Sequence, residues 1–193
     1  TWRTDYTLSG NTAKDAGYYQ FTVNLCGNYT LASGVSAPLP WHIDQRAVDL
    51  DWQNVTGRTY HDGKTVTATV RDGDVFAGDK VSVSVADGDN TELGEHTATA
   101  TLTGDQAKNY FIPTEKASHS YTVDKKSVAI PAANTTKFVY SGQDQTYTLA
   151  ASNDYTLTNN VQKNAGTYNV TVALADKDNT QWLGGEIGDL TYS

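Results

Sequence analysis

The strongest constraint in this sequence is that parts of it occur more than once. Asp5-Tyr6-Thr7-Leu8 returns as Asp154-Tyr155-Thr156-Leu157, and Ala16-Gly17-Tyr18-Tyr19 returns as Ala165-Gly166-Thr167-Tyr168, both at an offset of 149 without a gap. Val23 and Leu25 carry the match on to Val172 and Leu174. A second match is independent of the first: the run from Trp41 to Leu50 lines up with the run from Tyr121 to Ile130 at an offset of 80. Aromatic, aliphatic, Asp, basic, Val and aliphatic positions coincide along it. Each of these runs reads as a last strand, a short polar joint and a first strand, so both mark junctions between units. Recurrence of this kind predicts an array of small units, each with its own core and a neighbour interface.

The middle of the chain carries a weaker copy, Leu93-Gly94-Glu95-His96-Thr97 leading into Ala98-Thr99-Ala100-Thr101-Leu102. The matches predict the C-terminal half of a unit at 1–44, a complete unit at 45–124 and a further one at 125–193. Thr1 opens in mid-pattern, and Leu190-Thr191-Tyr192-Ser193 stops where the next joint begins, so the expectation is a piece of a longer array.

Within the units the periodicity is two. Thr65 to Val70, Lys80 to Val85, Asn169 to Val172 and Gln20 to Val23 alternate polar with apolar residues. Such alternation puts one row of side chains on a core and the other in water. Much of the polar row is threonine or serine, and the β-branch of threonine suits a pleated surface. Turn signals interrupt these runs at Asp62-Gly63, Asp72-Gly73, Ala77-Gly78-Asp79, Asp87-Gly88, Ser141-Gly142 and Ala165-Gly166. Glycine supplies the left-handed conformation, and Asp brackets it with local hydrogen bonds. No segment has a helical period with caps. The fold class expected is all-β: tandem small immunoglobulin-like antiparallel β-sandwich repeats of about seven strands each. Without disulfides such units need core aromatics, for which Tyr60, Tyr110, Tyr140 and Tyr168 are candidates.

The ordered set Tyr60-His61-Asp62-Gly63 (and Tyr140-Ser141-Gly142), Gly78-Asp79-Lys80-Val81-Ser82-Val83, Gly94 with its Thr/Ala strand, Ala107-Lys108-Asn109-Tyr110 and Tyr121-Thr122-Val123 resembles the bacterial surface repeats called MBG or YDG domains. Ala165-Gly166-Thr167-Tyr168 with Trp182 is similar to the same group. The resemblance covers 45–193 and, as a C-terminal half, 1–44. The middle unit departs from it by placing His61 inside the Tyr-x-Gly turn and His96 where tyrosine is usual. What the resemblance implies is a large, repetitive, exported protein of the bacterial cell envelope, with no catalytic residues to carry over.

Charge narrows the partners. The formal net charge is −8, without a basic cluster, so anionic nucleic acid and lipid surfaces are repelled. No apolar run reaches the about 18 residues that a membrane-spanning helix requires. The single cysteine, Cys26, has no internal disulfide partner, and Leu25-Cys26-Gly27-Asn28 reads as a strand end rather than a nucleophile site.

No catalytic, cofactor-binding or metal-binding residues are assigned. The acidic turns Asp87-Gly88-Asp89-Asn90 and Asp176-Lys177-Asp178-Asn179 offer alternate oxygens for calcium, but both lack the distal acidic ligand of calcium loops, and Asp and Asn are ordinary turn residues. His42, His61, His96 and His119 have no close paired spacing and read as strand or surface residues. There is no G-x-S-x-G elbow, and small sandwiches provide little depth for a carboxylate-lined cleft. Trp2, Trp41, Trp52 and Trp182 raise sugar stacking as an alternative to packing. A lysine–asparagine crosslink between first and last strands is not expected: Lys125 and Lys126 lie at a first strand, but 118–123 and 188–192 contain no asparagine. The sequons at Asn28, Asn54, Asn134 and Asn169 carry little meaning for a bacterial source.

The function expected is therefore a non-catalytic structural stalk or spacer of a secreted, extracellular bacterial surface protein, cell-wall-anchored or released. It would project an adhesive domain, with neighbouring repeats of the same chain as its partners. The alternative is an adhesin module that itself binds host glycan or protein.

Overall fold

The computed structural model describes residues 5–33 and 38–193. Thr1 and Trp2 lie outside the described residues. The described residues are nearly all strand, turn and irregular structure, with two single turns of 3-10 helix at Ala107–Asn109 and Thr114–Lys116.

In chain order the strands begin with β1 (Tyr6–Ser9), β2 (Gly17–Leu25), β3 (Leu39–Ile43), β4 (Arg46–Ala47), β5 (Leu50–Gln53) and β6 (Arg58–Thr59). Next come β7 (Thr67–Val70), β8 (Ser82–Ala86), β9 (Gly94–Thr103), β10 (Tyr110–Phe111), β11 (Ser118–Asp124) and β12 (Lys126–Val128). The last are β13 (Gln145–Thr146), β14 (Tyr155–Thr158), β15 (Val161–Gln162), β16 (Val170–Leu174), β17 (Thr180–Trp182) and β18 (Leu190–Tyr192). The chain divides into two compact units, one of 1–53, 66–88 and 97–119, the other of 54–65, 89–96 and 120–193. Residues 45–124 contribute to both.

In the first unit β1, β2 and β3 form an antiparallel meander. The apolar residues of β5, β7 and the later part of β9 meet in a core of Leu50, Ala68 and Ala100, against which Trp52, Val70, Val83, Val85 and Ile112 pack. The alternation anticipated for Thr65–Val70 is met by burial of Val66 and Ala68, with the threonines outward. β4 runs parallel to β10, Arg46 opposite Tyr110.

The second unit repeats these relationships. β14, β16 and β18 form a meander of the same order as β1, β2 and β3. Tyr155 faces Leu174 and Leu157 faces Val172, just as Tyr6 faces Leu25 and Leu8 faces Val23. Each partner is displaced by 149, so strand register as well as residue type recurs. The hydrogen bond from Cys26 N to the Asp5 carbonyl likewise returns from Ala175 N to Asp154. β12 runs parallel to β17, Lys126 opposite Thr180, as β4 does to β10. Register fixes which face each side chain takes, so the two meanders direct equivalent residues to equivalent faces.

Burial differs between them. Val128, Tyr155, Val172, Leu174 and Trp182 form a closed core in the second unit. Tyr6 and Leu8, the equivalents of Tyr155 and Leu157, are 54% and 42% exposed. In the second unit Trp182 is wholly buried beside Tyr155, with ring centroids 6.3 Å apart, and its indole N–H donates to the Gly188 carbonyl at 2.8 Å.

The turns between the first two strands of each meander also correspond. Gly10 sits at φ 76°, and Asn159, 149 residues later, at φ 58°. Asn is the side chain best suited to that left-handed conformation after glycine. Asn159 adds a hydrogen bond from its amide to the Asn169 carbonyl at 2.7 Å. At Gly10 an added Cβ would lie 2.5 Å from the Gln20 carbonyl oxygen, so the first turn is built for glycine.

Candidate functional site

Several features of the sequence invited a chemical reading. The Asp176 carboxylate accepts hydrogen bonds from the backbone and side-chain amides of Asn179, at 3.1 and 2.9 Å. These bonds, the side-chain one foremost, hold its pKa below the usual carboxylate value. The turn is an internally capped loop. Among the described residues, no group of three or more His, Cys, Asp or Glu side chains is arranged to hold a metal ion. Cys26 is half-buried with a free thiol.

Among the described residues, the tryptophans pack. Trp182 is core. Trp41 lies 5.0 Å from the Tyr19 ring and donates its indole N–H to the Gly10 carbonyl at 3.1 Å. Trp52 is half-buried against His119, 5.6 Å between centroids. Of the tyrosines expected in cores, Tyr110 is buried, and its hydroxyl donates to Asp79 at 2.6 Å while accepting from Phe76 N. Tyr60 is half-buried and stacks on His61 at 4.0 Å. Tyr140 is a correction: it is 64% exposed, and among the described residues no strand pairs with 138–140 as β11 does with the equivalent 58–59.

The histidines are likewise accounted for by neighbours. His42 lies 3.5 Å from Asp44, and His61 lies 4.0 Å from Glu92. Lys126 pairs with Asp154 at 2.7 Å, and the Lys125 ammonium donates to the Lys177 carbonyl at 2.7 Å.

Two devices were not read from the sequence. The first is a corner made by the Gly-x-(Tyr/His) motif. Tyr19 donates its hydroxyl to the carbonyl of Asp15, Tyr168 to Asn164, and the His96 ring nitrogen contacts the carbonyl of Glu92, at 2.7, 3.0 and 2.7 Å. In all three the partner lies four residues earlier. At Gly166 the ring lies close over the backbone, and an added Cβ would sit 3.1 Å from the Tyr168 ring; at Gly94 the space is open and the left-handed φ of 115° is what favours glycine.

The second device joins residues far apart in sequence. Asp15 accepts from the Lys108 ammonium at 2.6 Å and from the Asn109 side-chain amide at 3.0 Å. The Asn109 side-chain oxygen Oδ1 in turn accepts from Ala16 N at 2.8 Å. Gln45 completes the arrangement by donating to the carbonyls of Lys108 and Tyr110. The Lys108 hydrogen bond, followed by that of Asn109, holds the Asp15 carboxyl below its usual value, and the same bond raises Lys108. Four side chains thus tie the loop before β2 and the joint after β3 to the turn before β10. The signal available in the sequence was Asn109 itself, an amide able to donate and accept at once.

No protein-family model, curated protein or solved structure matches this chain.

Proposed function

We propose that this chain is a non-catalytic spacer from a secreted bacterial surface protein, built of tandem immunoglobulin-like repeats of the MBG/YDG type, which holds an adhesive domain away from the cell. The observation that carries this reading is the Asp15–Lys108–Asn109–Gln45 clamp. It links residues on both sides of the joint expected at residues 44–45, all within one compact unit. A spacer needs resistance to bending between repeats, and short joints with specific cross-contacts supply it. The recurrence of meander register at 149 positions supports the same reading, because an array reuses one unit. The acidic, evenly spread charge suits an extended chain exposed to solvent.

Small-angle scattering tests the proposal. The expected result is an elongated particle, and loss of the clamp in an Asp15→Ala, Asn109→Ala double variant should broaden its distance distribution while far-UV circular dichroism stays unchanged. A globular particle for the wild type would sink the spacer reading.

A further inference from the structure

The sequence contains three Asp-Gly steps, Asp62-Gly63, Asp72-Gly73 and Asp87-Gly88. Such a step is chemically special, because glycine has no Cβ to hinder its own amide nitrogen from reaching the preceding side-chain carboxyl. The three lie in different surroundings. The Asp62 carboxylate accepts from Arg58 Nε at 3.0 Å and from the backbone amides of Lys64 and Thr59 at 2.9 and 3.2 Å, which fixes its rotamer. Gly88 is buried, and its carbonyl accepts from Val66 N at 2.7 Å. An added Cβ there would meet the Val66 carbonyl oxygen at 2.4 Å, so the 87–88 step cannot turn without unpacking from Val66.

Asp72-Gly73 has none of these restraints. It is the tip of the turn after β7, closed by a hydrogen bond from Asp74 N to the Arg71 carbonyl at 3.2 Å. Both residues are exposed, and Gly73 stands at φ 87° with open space where a Cβ would be. Among the described residues, neither the Asp72 carboxylate nor the Gly73 amide has a hydrogen-bond or ion-pair partner. A nucleophilic nitrogen and its electrophilic carbon are thus neighbours, unpaired and free to turn toward one another.

We infer that Asp72-Gly73 is a modification site at which the chain isomerises to isoaspartate, while the fold protects Asp62 and Asp87. The Gly73 nitrogen bonds to Asp72 Cγ, and the amide proton leaves with the carboxyl hydroxyl as one water, giving a succinimide. Water then adds back and opens the ring. Opening at the former backbone carbonyl leaves the chain running through the Asp72 side chain, with no oxidant or cofactor and no net change in mass. The main chain between Arg71 and Asp74 is then longer by one methylene, about 1.5 Å. Asp74 is held on both its polar groups: its carboxylate accepts from Asp49 N at 2.8 Å and its carbonyl from Arg46 Nε at 2.9 Å. Arg71 is tied to the same segment, its N donating to the Asp49 carbonyl at 2.9 Å. The lengthened turn cannot keep all of these bonds, so isomerisation loosens it from residues 46–49. This inference is independent of the spacer function.

The 193-residue chain is aged in mildly acidic buffer, folded and, in parallel, unfolded in guanidinium. Isoaspartate is located by digestion with an endoprotease that cuts before Asp but not before isoaspartate, and by electron-transfer fragmentation. In the folded chain it should accumulate at residue 72 roughly tenfold faster than at 62 or 87. In guanidinium the three rates should converge, because the restraints on 62 and 87 are gone. Asp72→Glu, whose ring would need one more member, should remove the modification there and leave the fold unchanged. Chains carrying isoaspartate at 72 should show shifted amide resonances for Asp49 and Asp74 and melt a few degrees lower. Equal rates at the three steps of the folded chain would overturn the proposal, as would no product at 72 while the unfolded chain reacts. A preference for 72 that persists in guanidinium would also overturn it, since flanking sequence and not the fold would then select the site. Unmoved Asp49 and Asp74 resonances in the isomerised chain would refute the coupling of the turn to 46–49. None of these results bears on particle shape, which tests the spacer reading separately.

Discussion

The His96 ring nitrogen lies 2.7 Å from the Glu92 carbonyl oxygen, the contact that Tyr19 and Tyr168 make to Asp15 and Asn164. A carbonyl can only accept, so Nε2 carries the proton in this contact. One hydrogen-bonding requirement is thus met by two different side chains, which explains why tyrosine and histidine alternate at this position.

From this equivalence, His96→Tyr should fold with stability within about 0.5 kcal/mol of wild type, because the bond is kept. His96→Ala should cost about 1 kcal/mol, the net value of a hydrogen bond, with the lost stacking on Tyr121 adding to it. Urea denaturation of both variants measures the difference. Equal loss in the two would show that the corner bond has no energetic weight.

Arg58 is fully buried, and its Nε pairs with Asp62 at 3.0 Å while Nη2 donates to the Lys64 carbonyl at 2.7 Å. Removing one partner of a buried ion pair strands the other, so Arg58→Ala should lose about 3–5 kcal/mol. Burial pushes the Asp62 carboxyl up, but the Arg58 bond and the backbone N–H groups of Lys64 and Thr59 outweigh it and hold the carboxyl below its usual value. A depressed carboxyl stabilises the fold above the unfolded value of about 3.9, and that contribution is lost as pH falls through the folded value. Acid titration of wild type and Asp62→Asn should therefore differ in slope below about pH 4. Coincident acid transitions would contradict the assignment.

Trp182 closes the core of Val128, Tyr155, Val172 and Leu174. Trp182→Ala should cost about 3–5 kcal/mol through the cavity it leaves and should broaden the side-chain NMR signals of its neighbours. Trp52→Ala, at a half-buried position, should cost markedly less. Thermal unfolding ranks the two, and a reversed order would mean that the core is centred elsewhere.

Much of the fold was legible because strand alternation and turn chemistry are local. Val170, Val172 and Leu174 point inward on one side of β16, as the period of two requires. Gly10 and Asn159 mark equivalent turns that their residue types permit. Tyr140 was not legible: it shares its turn motif with Tyr60, and its exposure depends on whether a distant strand lies against it. The Asp15 clamp escaped for the same reason, since Asp15 and Lys108 are separated by 93 positions and no local pattern couples them.

Sequence alone determined that this is a β-rich chain with short motifs that recur, because side-chain period, glycine turns and repeated motifs act over a few residues. Tertiary structure decided which aromatics are core and which carboxylates are paired. Those properties depend on what lies across the sheet, and the partner in each case is supplied by chain distant in sequence.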